Sequence, residues 1–559
     1  MGRQDEIVKE RLRKISELRK QEINPYPYKY AVSAHAAELQ EKYKKIKNEE
    51  KTKDSVKIAG RLMAVRDFGK IAFGVLQDGS GKIQITLQEK ETPDKVAEFF
   101  KKYIDSGDFV GVEGLVFRTQ RGELSVLVKK VELLSKSILP LPEKWHGLQD
   151  KEERYRKRYL DLMMSPEVKD VFVKREKIID SIREFLKSKA FTEVDTPYLQ
   201  TIYGGAEARP FKTHLNALNI PLYLAISPEL YLKRLIVGGF DRVFTMARNF
   251  RNEGIDKWHN PEFTMMEIYQ SYADYNDMME LMEDLYVHVC KKVLGTTKIK
   301  VQGQEVDFKK PWARITMADA IKKYAKIDVL KMSEKELIDF VESNNIEYKH
   351  NGWGWLVAAL FEHFCEKQII QPTFVTDHPK ELTPLCKEHR KDKRLIERFE
   401  PFCLGAEMAN AYSELNDPVI QKELLEKQQG LLTSGDEEAN PYDSDFVNAL
   451  EIGMPPTGGI GIGIDRMVIM LLGQESIRDV LLFPFMKPEV KDSIKEVKEE
   501  IKLDVKEKIN CIKPIMKFDG ANEKFTPDVE STKELIKSPI TKSSKAEKPK
   551  SAKLVSKKK

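Results

Sequence analysis

At 559 residues the chain is too long for one ordinary domain, and two or more folded units are expected. With 41% hydrophobic and 33% charged residues it reads as soluble and globular, and a net charge of +5 permits contact with nucleic acid without arguing for it. Five cysteines with no C-x-x-C pair make neither a disulfide framework nor a zinc site. The opening residues are not those of a secretory leader and no apolar run can span a bilayer, so a reducing cytoplasm is favoured.

Ile7, Leu12, Ile15 and Leu18 recur at helical spacing and predict an amphipathic helix over residues 5–21. The charged stretch that completes an N-terminal segment (1–54) is expected to be helical too. From Val56 the period becomes two. Five β-rich runs (VKIAGRLMAVRDFG, IAFGVLQD, KIQITLQ, FVGVEGLVF, ELSVLVKKVELL) fit a small closed barrel over residues 55–138. The oligonucleotide-binding (OB) barrel is the common one of that size, and a generic barrel without a ligand fits the pattern as well. Pro140 and Pro142 stiffen a linker (139–165) that carries the basic, aromatic segment DKEERYRKRYLDL. Over residues 166–490, helices expected at 171–189, 228–237 and 276–293 mix with alternating strands lacking regular β-α-β order, which predicts an α+β domain on an antiparallel sheet. The lysine-rich residues 491–559 are expected to be a partly disordered extension; they end in TKSSKAEKPKSAKLVSKKK, a stretch with almost no hydrophobes that is either a plain solvated tail or one adding sequence-blind affinity for tRNA.

Three segments carry chemistry. In FRNEGIDKWHNPEFTMMEIYQSY, from Phe250, two β-like runs flank a loop. Period two puts Arg251 and Glu253 on one face of the outgoing strand, and Phe263, Met265, Glu267 and Tyr269 on one face of the return strand. A guanidinium that can clamp a carboxylate or phosphate thus meets carboxylates, a phenol and a ring able to stack on a base; a salt-bridged surface hairpin is the plainer alternative. In TGGIGIGIDRMVIMLL, from Thr457, alternating Gly459, Gly461 and Gly463 leave one strand face bare before Asp465 and Arg466. The spacing supports neither a dinucleotide fold nor a P-loop. In RFEPFCLGAEMANAYSELND, two strands turn at Leu404-Gly405 and align Asn410, Tyr412 and Glu414. Glu400 and Glu407, on either side of the turn, are oxygen ligands suited to Mg²⁺, or else solvated turn residues. KMSEK at 331–335 is similar to the lysine signature of class I synthetases but has no H-x-G-H partner in the chain and is rejected.

Together these segments resemble the three signature motifs of class II aminoacyl-tRNA synthetases, with VKREKIIDSIREFLKSKAFTEVDTPYL as motif 1. Within the class, GGAEARPF, PELYLKRL, HNPEFTMMEIY, ANAYSELND and PPTGGIGIGIDR resemble lysyl-tRNA synthetases of the bacterial and eukaryotic type, from about Lys57 to Pro488. The resemblance implies a six- to seven-stranded antiparallel catalytic sheet, an OB anticodon domain, a homodimer through motif 1, and lysine–tRNA ligation with ATP, L-lysine, tRNA(Lys) and Mg²⁺.

It further implies roles for single residues. Arg251 binds the α-phosphate and the lysine carboxylate; Glu253, His259 and Asn260 contact ATP; Phe263 and Arg466 sandwich adenine; and Glu400 and Glu407 hold magnesium. Gly205 and Glu229 take the α-amino end of lysine, Asn410 its carboxylate, and Glu414 and Tyr269 its ε-ammonium, with Glu267 and Tyr412 completing the pocket. In the barrel, Phe73 stacks on a uridine, with Gln77, Gln84 and Glu132 as base-edge partners. Three glutamates suit a substrate with two ammonium groups, and no lysine or arginine stands at position 414, where a relative specific for aspartate would need a cation. Departures from the family pattern are Pro401, Glu207 and Gly458.

Overall fold

The computed structural model describes residues 2–142, 150–301 and 303–489. Strands β1 (Lys51–Asp67), β2 (Ile71–Gln77), β3 (Lys82–Gln88), β4 (Phe109–Arg118) and β5 (Leu124–Ser135) close into a barrel in the order β1-β2-β3-β5-β4. Alternation drives the closure. Ala72 and Leu76 of β2 and Ile83, Ile85 and Leu87 of β3 are buried in the lumen, while Phe73, Val75, Gln77 and Gln84 alternate outward. A helix over Asp94–Tyr103, absent from the sequence reading, buries Phe100 and Tyr103 against the barrel core between β3 and β4.

The first helix, Arg3–Lys20, lies where its spacing predicts and is bound to the barrel. Leu18 joins the barrel core. Arg11 donates to the carbonyls of Ser106, Ser137 and Leu139, and Lys14 pairs with Asp105 at 2.8 Å. Beneath them the buried Lys136 donates to Asp108 at 2.7 Å, to Asp105 and to the Tyr103 carbonyl. These cations are tolerated out of water because each has its acceptors. The helix expected to continue toward Asp54 is only Ala36–Lys42. Pro25 and Pro27 cannot donate to a helical ladder, and Tyr30 instead lies flat on Gly111 of β4, where a Cβ would fall 2.4 Å from its ring.

The larger sheet has nine strands. Six are antiparallel neighbours in the order β8-β9-β10-β11-β7-β6: β6 (Arg242–Phe250), β7 (Glu262–Ser271), β8 (Thr373–Pro379), β9 (Leu395–Cys403), β10 (Ala409–Ser413) and β11 (Thr457–Gly463). Thr192–Glu193 and Ala313–Thr316 add short parallel edges and Ala406–Glu407 pairs off β9, which accounts for the excess over the expected six or seven. Period two separates the faces. Met266, Ile268, Ile460, Ile462, Ala409, Ala411 and Phe399 are buried with the inner sides of helices Pro166–Ser188, Tyr275–Val289 and Ile464–Leu471. The alternate residues of the same strands line a cavity on the other face.

The helices expected at 171–189, 228–237 and 276–293 are Pro166–Ser188, Glu229–Val237 and Tyr275–Val289, the last continuing through a π-turn to Leu294. The KMSEK segment supplies Ser333, which caps helix Glu334–Ser343 in a separate helical cluster. The linker's Arg158 is buried, paired with Asp161 at 2.7 Å and donating to the Arg478 and Leu481 carbonyls, so it docks the segment onto the catalytic unit. The lysine-rich extension lies outside the described residues.

Candidate active site

The cavity, about 360 Å³, takes its floor from four strands in register. Tyr269 of β7 stands opposite Gly459 of β11, Gly459 opposite Tyr412 of β10, and Tyr412 opposite Arg398 of β9. The next row is Glu267, Gly461 and Asn410. A glycine strand therefore lies between two strands of large polar side chains, which fold over it. At Gly459 a Cβ would fall 2.0 Å from Glu414 Oε1 and 2.6 Å from the Tyr269 ring, so that glycine is a packing requirement as well as an open floor. Gly461 and Gly463 have ordinary contacts, nearest 3.6 Å, and remain open to the cavity.

One end of the cavity is basic and aromatic. β6 ends at Phe250, so Arg251 and Glu253 enter from the loop and not, as the period implied, from the strand. The Arg251 N–H closes the hairpin on the Pro261 carbonyl at 2.9 Å. The Arg251 guanidinium lies 5.1 Å from the centre of the Phe263 ring, and burial pulls it below the ordinary guanidinium value while Glu253 and Glu407 pull the other way. Arg466, across the cavity, donates to Glu407 at 3.0 Å and lies 3.3 Å from His259 Nε2, whose Nδ1 is 2.8 Å from Asp256. Asn260 lines the cavity, but its amide donates to the Glu262 carbonyl and its oxygen accepts from the Phe485 N–H, so it shapes the loop.

The other end is acidic. Glu229, Glu267 and Glu414 are all buried and line the cavity. Ser227 Oγ donates to Glu267 at 2.8 Å and accepts the Glu229 N–H; the Tyr269 hydroxyl donates to the second oxygen of Glu267 at 3.1 Å. Burial first, then the charge of Glu229, pushes Glu267 up to about 8; burial likewise pushes Glu414 up to about 8 against the pull of Lys233. Burial and the surrounding carboxylates keep the Tyr269 phenol neutral. Gly205 has φ +85°, and a Cβ there would fall 2.9 Å from Ser227 Oγ and Glu229 Cβ, so only glycine fits.

Glu400 and Glu407 also line the cavity. Arg398 and Arg466 respectively claim one oxygen of each, leaving the second oxygen of each outside those ion pairs. That all-oxygen donor set fits Mg²⁺ completed by phosphate oxygens. Among the described residues no group of three or more His, Cys, Asp or Glu is arranged to hold a metal by itself. Pro401 does not disturb the site. It faces Phe374 of β8, its carbonyl accepts the Met408 N–H at 2.8 Å, and the return strand is split beside it. Glu207 is exposed at the cavity rim.

Three residues of the site had no role in the sequence reading. Arg398 is largely but not fully buried and donates to Asn410 Oδ1 at 3.0 Å as well as to Glu400; period two from Glu400 was the available signal. Ser227 and Lys233 are the others, and nothing marked them beyond lying beside Glu229 and one helical turn from it.

In the barrel, Phe73 and Gln84 share the outward face, and Gln84 donates to Ser125 of β5 at 2.7 Å. Gln77 is on that face, but its amide donates to the Met163 carbonyl of the linker at 3.1 Å. Glu132 is not brought to them. It pairs with Gly111 near the far end of β5, beside Tyr30, whose phenol is pushed up to about 12 by burial and then by Glu132 and Glu113.

An antiparallel sheet with an arginine-and-aromatic site on one face, preceded by a five-stranded barrel, defines a class of protein, and comparison with known families agrees. Residues 150–487 match the family model of tRNA synthetases class II (D, K and N), and residues 56–134 match that of the OB-fold nucleic acid binding domain. The chain belongs to the class II tRNA synthetases of this D, K and N group. It is 50% identical over 479 residues to the lysine–tRNA ligase of Methanoculleus marisnigri, covering 85% of this chain and 94% of that protein. It is 50% identical over 492 residues to that of Carboxydothermus hydrogenoformans (87% and 98%), and 49% identical over 488 residues to that of Clostridium novyi (86% and 94%). Within the class, these relatives place it in the lysine–tRNA ligase family.

Proposed function

We propose that the chain is a lysine–tRNA ligase that activates L-lysine with ATP to lysyl-adenylate and transfers the lysyl group to the 3′ end of tRNA(Lys). The observation that carries this reading is the polarity of one cavity: arginines and an aromatic ring at one end, three buried glutamates at the other. No side-chain nucleophile is required, because the substrate carboxylate attacks the α-phosphorus and pyrophosphate leaves. Arg251 holds that carboxylate and the α-phosphate together and offsets the charge of the transition state; Phe263 and Arg466 hold the base and outer phosphates. Glu253, His259 and Asn260 shape the loop over the nucleotide. Glu229 with Gly205 receives the α-ammonium and Glu414 with Tyr269 the ε-ammonium, while Glu267, Asn410 and Tyr412 close the pocket. Glu400 and Glu407 would hold Mg²⁺, which would supply charge neutralisation on the phosphates.

Phe73 and Gln84 are the barrel's best-placed readers of an anticodon base. Exposed Val173, Tyr198 and Leu199, in and after the motif 1 helix, supply apolar surface for a homodimer. No helix among the described residues is long and apolar enough to cross a membrane, in keeping with work in the cytoplasm. The test is ATP–pyrophosphate exchange with lysine, ornithine, asparagine and aspartate, followed by tRNA charging. Exchange that strongly prefers lysine is expected; none with any amino acid rejects the reading.

A further inference from the structure

Lys233 is one helical turn from Glu229 in helix Glu229–Val237 and has no exposed surface. Its Nζ lies 2.6 Å from Glu229 Oε1 and 2.5 Å from Glu414 Oε2. Glu414 comes from the end of β10, held by its N–H on the Thr457 carbonyl, so one ammonium ties two elements far apart in sequence. Lys233 does not line the cavity, whereas both carboxylates do. Both Glu414 oxygens are buried without a hydrogen bond; Oε2 is answered by the Lys233 ion pair, and Oε1 is an acceptor kept for a cation that enters the cavity.

We propose that Lys233 is a positioning and specificity-determining residue: an internal ammonium that fixes the spacing of Glu229 and Glu414, and with it the length of diamino acid the pocket accepts. The proposal rests on the lysine reading above, in which these two glutamates hold the two ends of the substrate. Lys233 holds one oxygen of each, so those oxygens stand no farther apart than its two contacts allow. Charge points the same way. Once lysine has displaced the protons of Glu267 and Glu414, three carboxylates less one buried ammonium leave two negative charges, the number of ammonium groups on lysine. Without Lys233 the pocket carries a surplus charge, and a glutamate takes up a proton in place of substrate. The other groups around Glu414 do not supply the missing charge. Tyr269, Tyr412 and Cys386 are neutral, Glu267 is a further carboxylate, and Arg398 is bound to Glu400.

The experiment is ATP–pyrophosphate exchange by the full chain and its Lys233→Met and Lys233→Arg variants, with lysine and ornithine varied separately and melts recorded in parallel. For Lys233→Met the KM for lysine is expected to rise roughly 10- to 100-fold, the worth of one charge-assisted hydrogen bond. The KM for ATP stays within twofold, kcat falls less than KM rises, and the preference for lysine over ornithine drops at least tenfold. Lys233→Arg keeps the charge but, being longer and forked, respaces the carboxylates; it recovers part of the lysine KM while the lysine-to-ornithine ratio stays altered. A Lys233→Met enzyme with a native melt, lysine KM within twofold and an unchanged ratio overturns the proposal. If Lys233→Met does not fold, an unchanged ratio in Lys233→Arg overturns it equally. A parent enzyme without lysine-dependent exchange sinks the lysine reading itself, which distinguishes the two failures.

Discussion

Replacing Gly459 with alanine tests the reasoning about the cavity floor at one methyl group. The added Cβ would fall 2.0 Å from Glu414 Oε1 and 2.6 and 2.9 Å from two Tyr269 ring carbons, whereas real Cβ atoms essentially never come within 3.0 Å of a neighbour. The Glu414 carboxylate must therefore retreat by about 1 Å even to reach that limit, a displacement that on its own typically costs about 100-fold in rate. Glu414 is tethered through its other oxygen to Lys233, so the retreat also strains that ion pair. The overpacking itself costs about 1–3 kcal/mol of stability. In ATP–pyrophosphate exchange, kcat/KM for lysine is expected to fall about 100-fold with the KM for ATP unchanged. Gly461→Ala, whose Cβ would have nothing nearer than 3.6 Å, should melt like the parent. A Gly459→Ala enzyme with a native melt and kcat/KM for lysine within threefold of the parent refutes the argument.

Four further outcomes are expected. Arg398→Ala leaves Glu400 and Asn410 without their shared partner, so kcat should fall about 100-fold; exchange within threefold of the parent contradicts this. Glu267 and Glu414, raised from 4.5 to about 8 in the free protein, hold protons that lysine displaces, so the KM for lysine should fall as pH rises from 6.5 toward 8.5. Because the folded chain binds more of these protons than the unfolded chain between pH 4.5 and 8, stability falls as pH rises through that window. Melts of the free protein should decline toward pH 8 and recover on adding lysine with a non-hydrolysable ATP analogue. Asp465 accepts the Thr264 N–H at 2.7 Å and pairs with Arg175 at 2.8 Å, so Asp465→Ala strands a largely buried guanidinium. A loss of about 3–5 kcal/mol is expected in chemical unfolding, and an unchanged midpoint would show that the pair holds nothing.

Most of the site was legible because a strand's period is short and unforgiving. Phe263, Met265, Glu267 and Tyr269 face the cavity together since any other register would put Met266 and Ile268 in water. Arg251 and Glu253 reach the same cavity for a different reason than alternation, because the strand stops one residue earlier and Pro261 closes the hairpin. Lys233 was illegible: a lysine in a helix is normally solvated, and the carboxylate that draws it inward, Glu414, lies far along the chain. Gln77 shares the face of Phe73 but has its amide engaged, and Glu132 does not share that face. A docked linker engages the first, and the second belongs to a stretch of β5 that turns toward β4 and Tyr30. The helix at Asp94–Tyr103 was readable from Val96, Phe99, Phe100 and Tyr103, but its brevity hid it among strands.

The clasp of the first helix on the barrel makes the inherited module and the cooperative one different lengths. The OB match begins at residue 56, yet the lumen is sealed by Leu18, and the acidic pair beneath it is partly answered by Lys14 from the same helix. A barrel cut at its homology boundary would open a hydrophobic seam and leave Asp105 short of a cation. The barrel's packed core therefore reaches back to the helix, some fifty residues before the recognisable nucleic-acid-binding fold.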